Sequence, residues 1–136
     1  HGLVAALIDA VPGVRCLRDP TRGGLATTLN ELAKQSAAGM VVDERALPVR
    51  AQVNAACELL GLDPLYVANE GKLVAIVPRE RAQAALAALR AHPLGREAAI
   101  IGEVIEDPHH FVQMNTMFGG RRVLDWLSGE QLPRIC

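Results

Sequence analysis

Residues 23–44 read GGLATTLNELAKQSAAGMVVDE, and the apolar pattern changes period partway along. From Gly23 to Ala38, Leu25, Leu29 and Leu32 recur at helical spacing and define one apolar face. Gly39 is the expected helix stop, and Met40 to Glu44 then has the β-branched, compact look of a strand. An amphipathic helix that runs almost directly into a strand predicts a layered fold with helices packed on a sheet.

The flanking sequence repeats this alternation. Leu3 to Val11 predicts a helix ending at Pro12-Gly13, and Val14 to Leu17 a short strand. Pro48 opens a helix over VRAQVNAACELLG, with Val53, Ala56, Cys57 and Leu60 in register and Gly61 as its stop. Lys72 to Val77 reads as a buried strand, and Pro78 starts an Ala-rich helix running to His92, closed by Pro93 and Gly95. Ala98 to Ile105 and Phe111 to Asn115 read as two strands of a hairpin around the Glu106-Asp107-Pro108 turn. Val123 to Leu127 reads as a last short strand or helical turn. The expected fold is α+β, a mixed sheet flanked by helices. Residues 1–127 form one domain and 128–136 a C-terminal tail.

Composition excludes several classes. The chain has 136 residues, half of them hydrophobic, which is enough for an ordinary core. Net charge is −1 with 14 basic side chains scattered along the chain, and only four residues are aromatic. Nucleic acid would find neither a phosphate-binding patch nor a stacking platform. No apolar run approaches the ~18 residues of a membrane span. Three cysteines without a CxxC do not form a disulfide framework, so a reducing cytoplasm is expected.

Four stretches carry side chains suited to chemistry. In RDPTRGGLATTLNELA, residues 18–33, a polar turn leads through Arg22-Gly23-Gly24 straight into the helix. Glycines there let backbone N–H groups approach a ligand, the helix dipole favours an anion, and Arg22 adds charge. Asp19 or Thr21 acting only as a helix cap is the commoner meaning of this pattern. In YVANEGKLVAIV, residues 66–77, Asn69-Glu70-Gly71 form a polar loop before a strand. Such a loop suits a catalytic carboxylate and, more commonly, an ordinary turn. Asp107-Pro108-His109-His110 is read as a turn, because adjacent histidines in extended chain point apart, and no metal site is expected. Met117-Phe118-Gly119-Gly120 either approaches a ligand or reverses the chain. Cys16 and Cys57 lie among apolar neighbours and read as buried.

The tail SGEQLPRIC, residues 128–136, ends in Cys136. Its nine residues extend about 30 Å, against a radius of gyration of about 14 Å for a domain of this size. An ordinary thiol is only a few per cent ionised at neutral pH, which suits a carrier loaded by another enzyme better than a self-activated nucleophile.

Taken together, RDPTRGGLATTLNELA, PVRAQVNAACELLGLDPLYVANEGKLVAIV, HPLGREAAIIGEV, the FGG loop and LSGEQLPRIC closely resemble the HypE family of hydrogenase maturation factors. That family belongs to the aminoimidazole ribonucleotide (AIR) synthase-related superfamily. The resemblance runs from about Val14 to Cys136 and corresponds to the family's C-terminal half. It implies an ATP- and Mg²⁺-dependent carbamoyl dehydratase, both ligands held mainly by an N-terminal half. Cys136 would carry a carbamoyl group received from a HypF-type carbamoyltransferase. Dehydration to a thiocyanate would then provide cyanide for the iron held by a HypC–HypD scaffold, in nickel–iron hydrogenase assembly. By motif position Glu70 is the candidate base, Asp19, Thr21, Arg22, Gly23 and Gly24 line the phosphate side, and Asn69 orients the substrate. The full-length protein is expected to be a homodimer, and these 136 residues alone to be inactive toward ATP. A non-catalytic docking module for maturation partners is the alternative.

Overall fold

A computed structural model describes residues 1–126. In chain order the elements are α1 (Gly2–Ala10), β1 (Cys16–Arg18), α2 (Gly24–Ser36), β2 (Gly39–Asp43), α3 (Ala51–Leu60), β3 (Val74–Ile76), α4 (Ala82–Ala91), β4 (Gly102–Ile105), β5 (Val112–Asn115) and β6 (Arg121–Val123). The fold is α+β. It is built as two compact units that interleave along the chain, which is why no linker marks them in the sequence.

The first unit comprises His1–Arg18 and Leu73–Ile100. Its strands β1 and β3 form an antiparallel ribbon with Leu17 opposite Ala75, and Arg15 N–H extends it by donating to Ile76 O at 2.8 Å. Leu17 and Ala75 pack with Val14, Val77 and Leu89 on a core of Leu7, Val11 and Ala85. Strand alternation puts Cys16 on the other side of the ribbon, so this thiol is half-buried while Cys57 is buried as expected. The same geometry leaves β3 half-buried, where the sequence pattern predicted a buried strand.

The second unit comprises Asp19–Lys72 and the described residues from Ile101 on. Its four strands lie in the order β4-β2-β5-β6, with β2 parallel to β5 and the other pairs antiparallel. Helix α2 packs on β2 and β5. Met40, Val42, Val112 and Met114 are buried with Ala26, Leu29 and Ala33 of the helix. Their alternation with Val41, Gln113 and Asn115 sets the register, since a one-residue slip would turn each of them to the open face. Full burial of each large side chain contributes roughly 1.5–3 kcal/mol.

Three local expectations are corrected. Residues 98–105 and 111–115 do not form a hairpin, because β2 lies between their strands. The connection crosses the start of β2 at Gly39, where a Cβ would stand 2.5 Å from Asp107 Cβ. Asp107 holds that crossing: its carboxylate accepts His109 N–H at 2.9 Å and Phe111 N–H at 3.2 Å, and His110 takes a left-handed φ of 55°. Gly39 is therefore the first residue of β2. Helix α2 ends at Ala37, which adopts φ 51° and donates its N–H to Ala33 O. Finally, α3 buries only Cys57 of its expected face, leaving Val53 46% and Leu60 68% exposed. Helical period identifies residues that share a side but not whether anything covers that side.

Candidate functional site

The Asp19–Gly24 loop and the Leu65–Glu70 loop, both in the second unit, are joined through their backbones. Asn69 N–H donates to Pro20 O at 3.0 Å, and Ala26 N–H, in the first turn of α2, donates to Leu65 O at 2.9 Å. Leu65 is buried and anchors its loop. An Asx turn shapes that loop from the other end: Asp63 Oδ1 accepts Leu65 N–H at 2.9 Å and Asp63 O accepts Tyr66 N–H at 3.0 Å. Gly24 makes the contact possible. It is buried at φ +64°, and a Cβ there would meet Leu65 O and lie 2.7 Å from Val67 O.

The sequence-predicted residues of these two loops differ in exposure. Asp19, Arg22 and Glu70 are exposed, Thr21, Gly23 and Asn69 half-buried, and Gly24 buried. The Asn69 side chain donates to Val67 O at 3.3 Å, a local bond that shapes its own loop. Glu70 takes its position from the neighbouring Asn69–Pro20 bond rather than from the edge of a sheet. Cys136, like the rest of 127–136, lies outside the described residues.

The start of α2 has no side-chain cap. The N-cap is Gly23 at φ +72°, so neither Asp19 nor Thr21 plays the capping part, and Thr21 instead accepts Gly24 N–H on its carbonyl at 3.1 Å. Ala26 N–H is spent on Leu65 O, and Thr27 N–H on Gly23 O at 3.3 Å. Two of the donors that usually receive a phosphate at a helix start, the Gly24 and Ala26 N–H groups, are therefore committed. Two features still fit a phosphate-bearing ligand. The dipole of a 13-residue helix points its positive end here beside exposed Arg22. Thr27 also holds its Oγ1 buried, with no hydrogen-bond partner, in the space a Cβ on Gly23 would fill. Thr27 was missed in the sequence; its only signal is a hydroxyl four residues after Gly23. Among the described residues no three His, Cys, Asp or Glu side chains gather as a metal site. Asp107-His109-His110 is the turn described above.

The chain is 73% identical, over all 136 residues, to "Carbamoyl dehydratase HypE" of Azotobacter vinelandii, covering 40% of that protein. It is 74% identical, again over its whole length, to the protein of that name from Cupriavidus necator, covering 39% of it. The chain thus spans about two fifths of the length of these relatives. Among solved structures, a hydrogenase maturation protein HypE superposes with TM-score 0.93 at 55% identity, over 99% of this chain and 44% of that one. A HypE in complex with ATP gives 0.91 at 54% identity over 99% and 42%, and a HypE–HypF complex 0.87 at 42% identity over 93% and 41%. The model of "AIR synthase related protein, C-terminal domain" matches residues 3–115, and the chain belongs to that family.

Proposed function

We propose that this chain is the C-terminal part of an ATP-dependent carbamoyl dehydratase of hydrogenase maturation, with Cys136 as carrier thiol and Glu70 as base. The observation that carries the reading is the backbone joint between the Asp19–Gly24 and Leu65–Glu70 loops, which ties the loop bearing Glu70 to the loop bearing Arg22 at the start of α2. The names of the relatives and the ATP-bound HypE support it.

Bound ATP supplies the phosphoryl group that converts the amide oxygen of the carbamoyl group into a leaving group. Arg22 and the α2 dipole hold the developing phosphate charge, and the Thr27 hydroxyl is the unspent donor behind them. The amide nitrogen gives up both protons as its third bond to carbon forms and the oxygen departs as phosphate. Glu70 takes one of the two protons at its carboxylate, and the departing phosphate carries the other. Asn69 keeps the Glu70 backbone in place through Pro20 O. Gly24 is a packing residue that seats one loop on the other. Mg²⁺ would arrive on the ATP phosphates and be held mainly by the N-terminal portion that the relatives carry. The thiol receives its carbamoyl group from a HypF-type carbamoyltransferase, and the product passes to a HypC–HypD scaffold in a cytoplasmic, homodimeric full-length protein.

Glu70→Gln in the full-length protein tests the base. The variant is expected to accept the carbamoyl group normally and to dehydrate it about 10²–10⁴-fold more slowly. Dehydration at the wild-type rate would remove Glu70 from the mechanism.

A further inference from the structure

The turn between β5 and β6 is closed on itself. Thr116 N–H donates to Gly120 O at 2.8 Å, Gly119 N–H to Thr116 O at 3.0 Å, and Gly120 N–H to Thr116 Oγ1 at 3.0 Å. It is also tied from outside: Met117 N–H donates to Glu44 Oε2 at 2.7 Å, and the Arg45 guanidinium donates to Met117 O. The backbone around Phe118 is therefore fixed while its side chain is 92% exposed, the most exposed large apolar side chain among the described residues. Among the described residues of the second unit, none covers the phenyl ring there. A large ring on a pre-ordered backbone is what an interface anchor needs, because little entropy remains to be lost on binding.

Strand β6 leads from this loop to the root of the tail, which is clamped to the same unit. Leu124 N–H donates to Val112 O at 2.8 Å, Asn30 Nδ2 donates to Leu124 O at 2.8 Å, and Tyr66 OH donates to Asp125 O at 2.9 Å. Phe118 and Leu124 are six residues apart, at most about 20 Å. A standard interface of about 800 Å² per partner is roughly 30 Å across. The ten residues from Leu127 to Cys136 span at most about 36 Å. One partner seated on Phe118 can therefore receive Cys136.

We propose that Phe118 is the anchor by which this chain docks the carbamoyltransferase that loads Cys136. This rests on the carrier reading above. An apolar socket on the transferase closes over the ring. The socket has an acidic rim facing Arg121, whose guanidinium bonds only the neutral amides of Asn115 at 3.0 Å and Gln113 at 3.3 Å among the described residues. A HypE–HypF complex among the solved relatives is consistent with a partner of this kind.

The test is the Kd of the full-length protein for its purified HypF-type transferase, by calorimetry, for wild type, Phe118→Ala and Leu59→Ala. Leu59 is the control, since it is 87% exposed on α3. Phe118→Ala is expected to weaken binding at least about tenfold with an unchanged unfolding midpoint, and Leu59→Ala to change it less than about twofold. Unchanged affinity in Phe118→Ala, or equal losses in both variants, would overturn the anchor while leaving the carrier reading intact. A shift of oligomeric state in Phe118→Ala with unchanged transferase affinity would assign the surface to a second copy and equally overturn it. Failure of wild type to bind the transferase at all would remove the carrier reading and this inference together.

Discussion

Gly24→Ala probes the joint between the two loops directly. At φ +64° an L side chain costs roughly 1–2 kcal/mol in backbone strain alone. The added methyl also meets Leu65 O, with Val67 O at 2.7 Å and Tyr66 C at 2.8 Å, and backbone atoms cannot rotate aside. Ordinary contact begins at 3.4 Å, so the 65–67 segment must retreat by about 1 Å at Leu65 O or the helix must tilt. Overpacking of this kind costs about 1–3 kcal/mol. Gly61→Ala provides the reference, because Gly61 has nearly the same φ, +67°, with nothing within 4 Å of its Cβ position. It should show the strain cost only. Urea unfolding of the 136-residue chain should therefore place Gly24→Ala about 1–3 kcal/mol below Gly61→Ala. In the full-length protein, displacement of the loop bearing Glu70 should slow dehydration about 10²-fold in Gly24→Ala and leave it unchanged in Gly61→Ala. Equal destabilisation of the two variants, within about 0.5 kcal/mol, would refute the joint.

Two further predictions concern single groups. Thr27→Val removes a buried hydroxyl that lacks a partner, so it should leave stability unchanged or raise it by about 1 kcal/mol while weakening ATP binding to the full-length protein. A destabilisation above about 1 kcal/mol would mean that the hydroxyl is already satisfied. The Asp107 carboxyl is held below its ordinary value of 3.8, first by the hydrogen bond from His109 N–H, then by that from Phe111 N–H and the two histidine charges, against opposing desolvation. A lowered folded value means that the unfolded chain binds more protons. The carboxylate's stabilisation is therefore complete above that ordinary value and is lost as pH falls through the folded value. A carbon-13 carboxyl titration should give a midpoint under 3.8 for Asp107, and a midpoint above it would contradict the capped crossing.

Legibility differed from segment to segment for physical reasons. Helix α2 was clear because Leu25, Leu29 and Leu32 repeat at its period and its N-terminal glycines adopt the left-handed angles only glycine holds cheaply. Strands β4 and β5 were located, but their separation by β2 was not, since pairing partners leave no mark in either strand's own pattern. The trace lay instead at Gly39, read as a helix stop although its lost Cβ makes room for Asp107. The exposed α3 face was misjudged because period reports sidedness, not cover. At the candidate site the residue types were readable in both loops. The bonds joining them, Asn69 to Pro20 and Ala26 to Leu65, involve backbone groups that every residue carries and so could not be read from sequence. Gly24 carried a signal that was assigned to phosphate approach, whereas its immediate task is packing.

The proposed carrier role puts on Cys136 a carbamoyl group that the full-length protein would dehydrate. The most direct test is the mass of the C-terminal peptide after the full-length protein meets the carbamoyltransferase, first without and then with ATP and Mg²⁺. One carbamoyl group on Cys136 is expected, followed by loss of one water to give the thiocyanate only when ATP is present. An unmodified cysteine, or a carbamoyl group that ATP leaves unchanged, would contradict it.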